Sequence, residues 1–254
     1  GAKLLGEGLA IRATGRSLEV DKDTVDQWLP GGGRLCLRVM AYFFRNLHVT
    51  ECQLDELWTF VRKKEGHLNT VEQVLGLYGD AWTWIAFAPA CKLVVTWVVG
   101  KRTLAEAKSL IKRLKTSLDE HIPFFTSDEL PHYADALLDQ YGEVYQPPKR
   151  PGPGRPPLPY KVPPPELLYA VVVKRREQGR VVEVSTEVVY GSPDRIAEVL
   201  NASPTSSAIS TYGVERNNLT IRQHSRRMGR KVNAFSKVRE YLKHQLALAF
   251  AYYH

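Results

Sequence analysis

The middle of the chain alternates between strand-like and helix-like hydrophobic patterns. Four segments are short, apolar and rich in β-branched or aromatic side chains, whereas two repeat apolar residues every three or four positions. The predicted strands cover residues 49–62, 81–87, 92–99 and 123–127, and the predicted helices cover residues 104–118 and 133–141. This order predicts an α/β fold with a mixed sheet, in which the first three strands form an antiparallel meander.

The first thirty residues predict a small helical unit. A short helix, a tight turn and a second short helix near residues 22–28 fit the pattern, and Pro30 with the glycines at 31–33 predicts a helix end and a flexible joint. Residues 35–44 predict a connecting helix. The unit is either a helix-turn-helix that approaches DNA or a generic helical hairpin. The pattern alone favours the hairpin, because it contains no base-reading code.

The second half of the chain begins with a proline-rich segment. Residues 147–165 hold ten of the sixteen prolines, which predicts an extended loop. Residues 168–174 and 180–190 predict a second β-hairpin after this loop. Helical patterns follow at residues 212–227 and from residue 236 to the end.

The composition of the 254 residues excludes several protein classes. Apolar residues make up 44% and charged residues 24%, as in ordinary globular domains, and no segment approaches the run of about 20 apolar residues that spans a bilayer. The first residues show no secretory signal pattern. Cys36, Cys52 and Cys91 lack C-x-x-C spacing, which excludes a disulfide scaffold and a complete zinc ribbon within this chain. A reducing cytoplasm is the expected compartment.

Positive charge is concentrated in three places. The chain has 35 Lys and Arg against 27 Asp and Glu, which gives a net charge of +8. The clusters are Lys149, Arg150, Arg155 and Lys161; then Lys174, Arg175 and Arg176; and then Arg216, Arg222, Arg226, Arg227, Arg230 and Lys231. Such clusters favour a nucleic acid as partner, because neutralising its phosphates releases counterions.

Three carboxylates occupy informative positions. Asp55 lies within a predicted strand, where aspartate is disfavoured. Asp128 follows the apolar strand at 123–127, on the edge of an α/β sheet where ligands bind, and Glu215 begins the basic helix. A helix cap or a salt bridge explains each of them singly. Together they offer the hard oxygen ligands that Mg²⁺ or Mn²⁺ prefers, and two such ions about 3.5–4 Å apart can clamp both oxygens of a phosphodiester displacement.

Five motifs follow one another in the order of a known protein family. They are LDELWTFV at 54–61, DAWTW at 80–84, TSD at 126–128, YGVERNNLTIR at 212–222 and NAFSK at 233–237. This set resembles the DDE transposases of the bacterial insertion sequence numbered one, from about Leu5 to the end of the chain. Two departures are the absence of a cysteine-rich zinc ribbon ahead of the helical unit and the proline-rich character of the loop at 147–165.

The resemblance implies a ribonuclease-H-like mixed sheet flanked by helices. It implies that Asp55, Asp128 and Glu215 are the catalytic residues and bind two Mg²⁺ or Mn²⁺ ions per active site. It also implies that the helical unit is a helix-turn-helix for terminal inverted repeats, which reverses the preference for a hairpin.

The implied domain order has three parts. Residues 1–30 form the DNA-binding unit and residues 31–48 the connecting helix. Residues 49–254 form the catalytic domain, in which the proline-rich loop and a β-hairpin are inserted at 147–210.

The implied activity is DNA transposition, in which transposon ends are cut and then joined to target DNA. The expected partners are double-stranded DNA and further copies of the chain in a homodimer or higher oligomer, with no membrane. The predicted DNA contacts are Lys22, Thr24, Arg150, Arg155, Arg216, Arg222, Arg226, Arg227, Arg230 and Lys231.

Three matters stay open at this point. The Gly-Arg-Pro at 154–156 resembles an AT-hook, which lays arginine along a narrow minor groove, but a stiff surface loop explains it equally well. A ribonuclease-H-like nuclease or resolvase would share the carboxylates without joining DNA. A domesticated DNA-binding protein would retain them without catalysis.

Overall fold

A computed structural model describes residues 1–149 and 155–254. The helices are α1 (Ala2–Gly6), α2 (Ile11–Leu18), α3 (Lys22–Phe43), α4 (Thr70–Leu75), α5 (Leu104–Ser117), α6 (Pro131–Tyr141), α7 (Pro193–Ala202), α8 (Tyr212–His224) and α9 (Arg239–Tyr253). The strands are β1 (Glu51–Val61), β2 (Gly79–Ala88), β3 (Leu93–Gly100), β4 (Phe124–Asp128), β5 (Glu143–Tyr145), β6 (Tyr160–Val162), β7 (Tyr169–Glu177) and β8 (Arg180–Tyr190). Short 3₁₀ turns lie at Glu65–His67 and Arg226–Met228.

A mixed sheet forms the centre of the protein. In the described part of the chain it has six strands in the order β3-β2-β1-β4-β7-β8. Strands β1, β2 and β3 pair antiparallel as the predicted meander, whereas β1–β4 and β4–β7 pair in parallel. The prediction of an α/β fold with a mixed sheet is confirmed, and this strand order is compatible with a ribonuclease-H-like fold.

The second hairpin is part of the central sheet, and its status as an insertion stays a prediction. Strands β7 and β8 pair antiparallel as predicted, but β7 also pairs with β4 and so extends the central sheet. Its first residues, 169–172, are buried, as is typical of a parallel strand covered on both faces. The small β5–β6 pair is a separate two-stranded sheet that flanks the proline-rich segment.

Alternating side chains of β2 supply two hydrophobic cores. Trp84 and Ala86 face the cluster that includes Leu110 of α5 and Tyr133 of α6. Ile85 and Phe87 face the opposite cluster, which includes residues of α8 and α9. Because strand side chains point alternately to the two faces, one strand stabilises both layers of helices.

Helix α3 runs without a break through Pro30 and the glycines at 31–33, so the predicted flexible joint is wrong. Its inner face packs on α9, and a Cβ at Gly33 would lie 2.5 Å from the Cβ of His244. The glycine therefore permits close helix packing instead of ending the helix. Residues 19–21 separate α2 from α3. The predicted short helix near 22–28 and the predicted connecting helix at 35–44 are parts of the single helix α3, and a DNA-binding role of α2 and α3 stays a prediction.

The division of the chain at residue 30 also stays a prediction. Helix α3 crosses this position, and the first helices share a small core with the C-terminal helix. Leu5, Val25, Leu29 and Leu248 form that core.

We expect Gly33→Ala to lower stability by about 2–3 kcal/mol, because the added methyl group would push α3 away from α9. The control is Gly32→Ala, whose Cβ would meet Leu248 Cδ2 at an ordinary 3.4 Å. This control variant should match or exceed the wild-type stability, because alanine favours helix by up to about 1 kcal/mol over glycine. Thermal and urea unfolding measure both variants, and equal stabilities would show that the helix interface accommodates the methyl group.

Candidate active site

Strand pairing places the two aspartates side by side. Strands β1 and β4 run in parallel with Gln53 opposite Thr126, and Asp55 and Asp128 each follow two residues later. Because side chains two positions apart in a strand point to the same face, the two carboxylates project from neighbouring strands toward one region.

Helix α8 brings Glu215 to the same place. The side chain of Gln53 donates to the Ser210 carbonyl at 2.9 Å and accepts from the Val214 N–H at 2.8 Å, so β1 fixes the start of the helix. Gly213 allows this approach, since a Cβ there would lie 2.8 Å from the Gln53 oxygen. Glu215 then lies in the first turn, directly after the anchored residue.

The three predicted carboxylates line a single cavity of about 360 Å³. It opens between the centre of β1, the end of β4, the second half of β7 and the start of α8. The lining residues are Asp55, Arg102, Asp128, Glu129, Leu130, Val172, Lys174, Arg176, Thr211 and Glu215. The cavity thus combines carboxylates with three cationic side chains.

The aspartates have high proton affinities. Burial, followed by the nearby charges of Glu56 and Asp128, raises the pKa of Asp55 to about 7. Burial and the charge of Glu56 raise the pKa of Asp128 to about 6. Asn218 donates to Asp55 Oδ2 at 2.5 Å, whereas Asp128 Oδ1 is buried without a hydrogen-bond partner in the described structure.

Glu56 belongs to this cluster and was missed by sequence reasoning. One carboxylate oxygen from each of Asp55, Glu56 and Asp128 lies within 4.8 Å of the others. Tyr133 donates its hydroxyl to Glu56 at 3.0 Å, and the Arg102 Nε donates at 2.9 Å. The Glu56 side chain is only 2% exposed. The position of Glu56 next to Asp55 was the available signal in the sequence. This signal was not sufficient, because the residues that hold Glu56 in the cluster, Arg102 and Tyr133, are distant from it in sequence.

Glu215 is paired with a cation. Lys174 donates to its carboxylate, as does the hydroxyl of Thr211 at 2.8 Å. Partial burial opposes ionisation of Glu215, but these two hydrogen bonds outweigh it and lower its pKa. Glu215 is therefore ionised. Lys174 supplies the positive charge that a metal ion bound to the Glu215 carboxylate would otherwise supply.

The donor set fits a hard divalent cation. One carboxylate oxygen from each of Asp55, Glu56 and Asp128 lies within 4.8 Å of the others, and the buried Asp128 Oδ1 has no protein donor within the described residues. Burial, together with repulsion between the close carboxylates, raises the pKa values of Asp55 and Asp128 and makes their ionised forms costly. A divalent ion would relieve this cost. Oxygen-only ligands suit Mg²⁺ or Mn²⁺ better than Zn²⁺.

Two of the three cations beside the carboxylates come from β7. Val172 pairs with Asp128, so Lys174 and Arg176 continue the same face of the strand toward the open edge. The sequence marked 174–176 as a basic cluster, but only the pairing of β7 with β4 places it in the cavity.

Three of the predicted DNA-binding arginines are already engaged within the protein. Arg222 donates to the Met228 carbonyl at 2.6 Å. Arg227 donates to the Ser236 hydroxyl at 3.1 Å, and burial lowers its pKa. Arg226 is exposed and donates to the Gly8 carbonyl at 3.2 Å. These bonds connect the 224–230 segment to its surroundings, and any phosphate contact by these side chains stays a prediction.

The remaining predicted contacts lie at the surface. Exposed side chains are Lys22, Arg155, Arg216, Arg230 and Lys231, and Thr24 is half-buried on α3. Lys22 pairs with Asp23 at 2.6 Å. Arg150 falls outside the described residues, as does most of the AT-hook resemblance, so the structure carries no information on that interpretation.

In the described residues, no helix combines the length and apolar character needed to cross a membrane.

Comparisons with known proteins leave the chain without an assigned family. No profile of a protein family matches the sequence, and no curated protein matches it significantly.

Proposed function

We propose that the protein is a metal-dependent DNA transposase that cuts transposon ends and joins them to target DNA. The observation that carries the proposal is the convergence of Asp55, Asp128 and Glu215 on one cavity. These residues come from the centre of β1, the end of β4 and the first turn of α8. They also lie in three of the motifs that resemble the transposase family.

The fold supports the same proposal. An antiparallel β3-β2-β1 meander followed by parallel β4 and β7 is the strand order expected of a ribonuclease-H-like domain. We infer that the sheet belongs to this fold, with β8 as an added edge strand. Asp128 then lies at the carboxyl end of the parallel strand β4, which is the usual ligand edge of an open α/β sheet, and Asp55 lies beside it on β1.

Asp55, Asp128 and Glu215 would hold two Mg²⁺ or Mn²⁺ ions. When bound, the ions supply activation of the nucleophile and neutralisation of charge on the phosphodiester. The residues of the chain would bind these ions and orient the carboxylates that hold them. Asn218 fixes the carboxylate of Asp55, and Arg102 with Tyr133 holds Glu56 against the cluster. This arrangement limits motion of the ligands before DNA arrives.

Cations around the cavity would hold the DNA backbone. Lys174 and Arg176 line the cavity itself, and the exposed Arg216, Arg230 and Lys231 extend the positive surface along and beyond α8. In this proposal helices α2 and α3 bind the terminal inverted repeats. Phosphate contacts by such side chains add affinity that is sensitive to salt.

Metal-dependent cleavage tests the proposal. A labelled DNA duplex carrying the inverted repeat that flanks the coding sequence is incubated with the protein and Mn²⁺, with EDTA as the control. Cleavage at the repeat boundary is expected in the presence of Mn²⁺ and not in the presence of EDTA. Absence of cleavage with specific DNA binding retained would favour the non-catalytic DNA-binding alternative. Cleavage without any joined product would favour the nuclease alternative.

We expect Lys174→Met to tighten Mn²⁺ binding by about three- to tenfold. The ammonium group pairs with Glu215, so it competes with an ion for that carboxylate and repels it. Isothermal titration calorimetry without DNA measures the effect. Arg175→Met is the matched control, since its exposed side chain pairs with Glu177. Unchanged or weaker Mn²⁺ binding by Lys174→Met would show that Lys174 does not compete with the ion.

A further inference from the structure

One side of α3 carries an apolar stripe that is largely exposed in the described chain, and Trp28 at one end of it also contacts Gly1. Its large side chains repeat at helical spacing beside the face that packs on α9. They are Trp28 (39% exposed), Leu35 (60%), Val39 (43%), Tyr42 (69%) and Phe43 (67%). We call these five residues the α3 stripe. The helix has 22 residues and is about 33 Å long, so the stripe follows most of its length.

Gly31 adds an observation that the single chain does not explain. A Cβ at Gly31 would meet nothing within 4 Å, whereas one at Gly33 would collide with His244. An interior glycine costs a helix about 1 kcal/mol relative to alanine. Gly31 lies between Trp28 and Leu35 on this side of α3, where it leaves the backbone open to close approach from outside.

The spacing of the stripe is self-complementary. Trp28, Leu35 and Tyr42 recur every seven residues, with Leu35 at the midpoint. A two-fold axis near Leu35 would place this residue against its own copy, whether the two helices run parallel or antiparallel. Isologous contacts of this kind close as a dimer.

The exposed area matches the need of a small stable dimer. The five side chains expose roughly 500 Å² per copy, so a pair would bury about 1,000 Å² before the Gly31 backbone is counted. Specific interfaces bury at least about this much. The stems of Arg34 and Arg38, which border the stripe, would add further contact while their charges stay in water.

We propose that the α3 stripe is a dimer interface and that its occupant is a second copy of this chain. A DNA backbone would not repay the burial of two exposed aromatic rings and a leucine. The proposal does not rest on the transposase assignment, because it concerns association without DNA.

Light scattering during size-exclusion chromatography, without DNA, tests the interface. The 28.7 kDa chain should elute at twice its mass, and Leu35→Glu should weaken association at least 100-fold and give the monomer mass. Val74→Glu is the matched control, because Val74 is an 83% exposed valine on α4, away from the stripe, and this variant should stay dimeric. Circular dichroism verifies that both variants fold.

Disulfide trapping locates the contact. In a Cys91→Ser background, Leu35→Cys should form a covalent dimer on mild oxidation, and Val74→Cys should not. Cys36 remains in this background, so the Cys91→Ser protein without a further cysteine measures any covalent dimer that forms through Cys36. A monomeric wild-type protein at 50 µM would overturn the proposal, as would a dimer unaffected by Leu35→Glu. A monomer whose DNA affinity falls in Leu35→Glu would overturn it in favour of DNA on this face.

Discussion

Asp128→Asn should reduce DNA cleavage by at least about 10³-fold while DNA affinity stays within about twofold of wild type. The amide retains the shape of the side chain but not the negative charge, and Asp128 Oδ1 is buried without a donor in the described structure. Binding persists because cations elsewhere hold the phosphates. Single-turnover cleavage and fluorescence anisotropy measure the two quantities separately.

Glu51→Gln is the matched control for this variant. Glu51 lies on β1, as Asp55 does, but it is the first residue of the strand and lines a different cavity. Its variant should cleave at the wild-type rate. Near wild-type cleavage by Asp128→Asn would remove Asp128 from the site.

The same cleavage assay distinguishes the role of Glu215 from that of Glu56. Glu215→Gln should reduce cleavage as severely as Asp128→Asn, because Glu215 is proposed to bind metal. Glu56→Gln should have a smaller effect, because Arg102 and Tyr133 already occupy its oxygens. The reverse ranking would make Glu56 the third ligand, together with the aspartates that it closely approaches.

Mn²⁺ affinity should fall by about 10³-fold between pH 8 and pH 5. A metal ion needs ionised carboxylates, and the pKa values of Asp55 and Asp128 are about 7 and about 6. Each pH unit below a pKa costs about tenfold in affinity for the corresponding group, which is two units for Asp55 and one for Asp128. Calorimetry over this pH range measures the effect, and Glu51→Gln should follow the wild-type curve.

The same pKa values set the sign of the stability change without metal. Folding favours the protonated aspartates, so their contribution to stability is full below pH 4 and is lost as the pH rises through 6 and 7. Mn²⁺ should therefore raise the melting temperature more at pH 8 than at pH 5. An affinity that stays constant down to pH 5 would show that the aspartates titrate as ordinary surface carboxylates.

Local patterns were sufficient to predict the elements that form the centre of the sheet. The alternation in β1, the hairpin around Pro89 and the helical period of α5 each depend on residues close in sequence. The meander follows because antiparallel neighbours need only short connections. Asp55 and Asp128 were also predictable, because an aspartate in or just after an apolar strand requires a reason other than propensity.

Long-range contacts explain the predictions that failed. The glycines at 31–33 indicate a joint locally, but Gly33 is required by His244, more than two hundred residues later. The pairing of the β7–β8 hairpin with the central sheet was not predicted, because its partner β4 precedes it by the whole proline-rich segment. Glu56 and Lys174 entered the site only when strand register placed Arg102, Tyr133 and Glu215 beside them.

The α3 stripe would complement the proposed activity. A transposon has two ends, and a dimer would present two cavities and two sets of N-terminal helices. Its formation without DNA can be tested independently of catalysis, so either proposal can fail alone.

Joining of a pre-cut transposon end is the most direct test of the proposed function. A labelled duplex that ends in the exposed 3′ hydroxyl of the inverted repeat is mixed with the protein, Mn²⁺ and a supercoiled plasmid. We expect label to become covalently attached to the plasmid with wild-type protein, and no attachment with Asp128→Asn. Unlabelled plasmid after incubation with folded, DNA-bound and Mn²⁺-bound wild-type protein would contradict a transposase function.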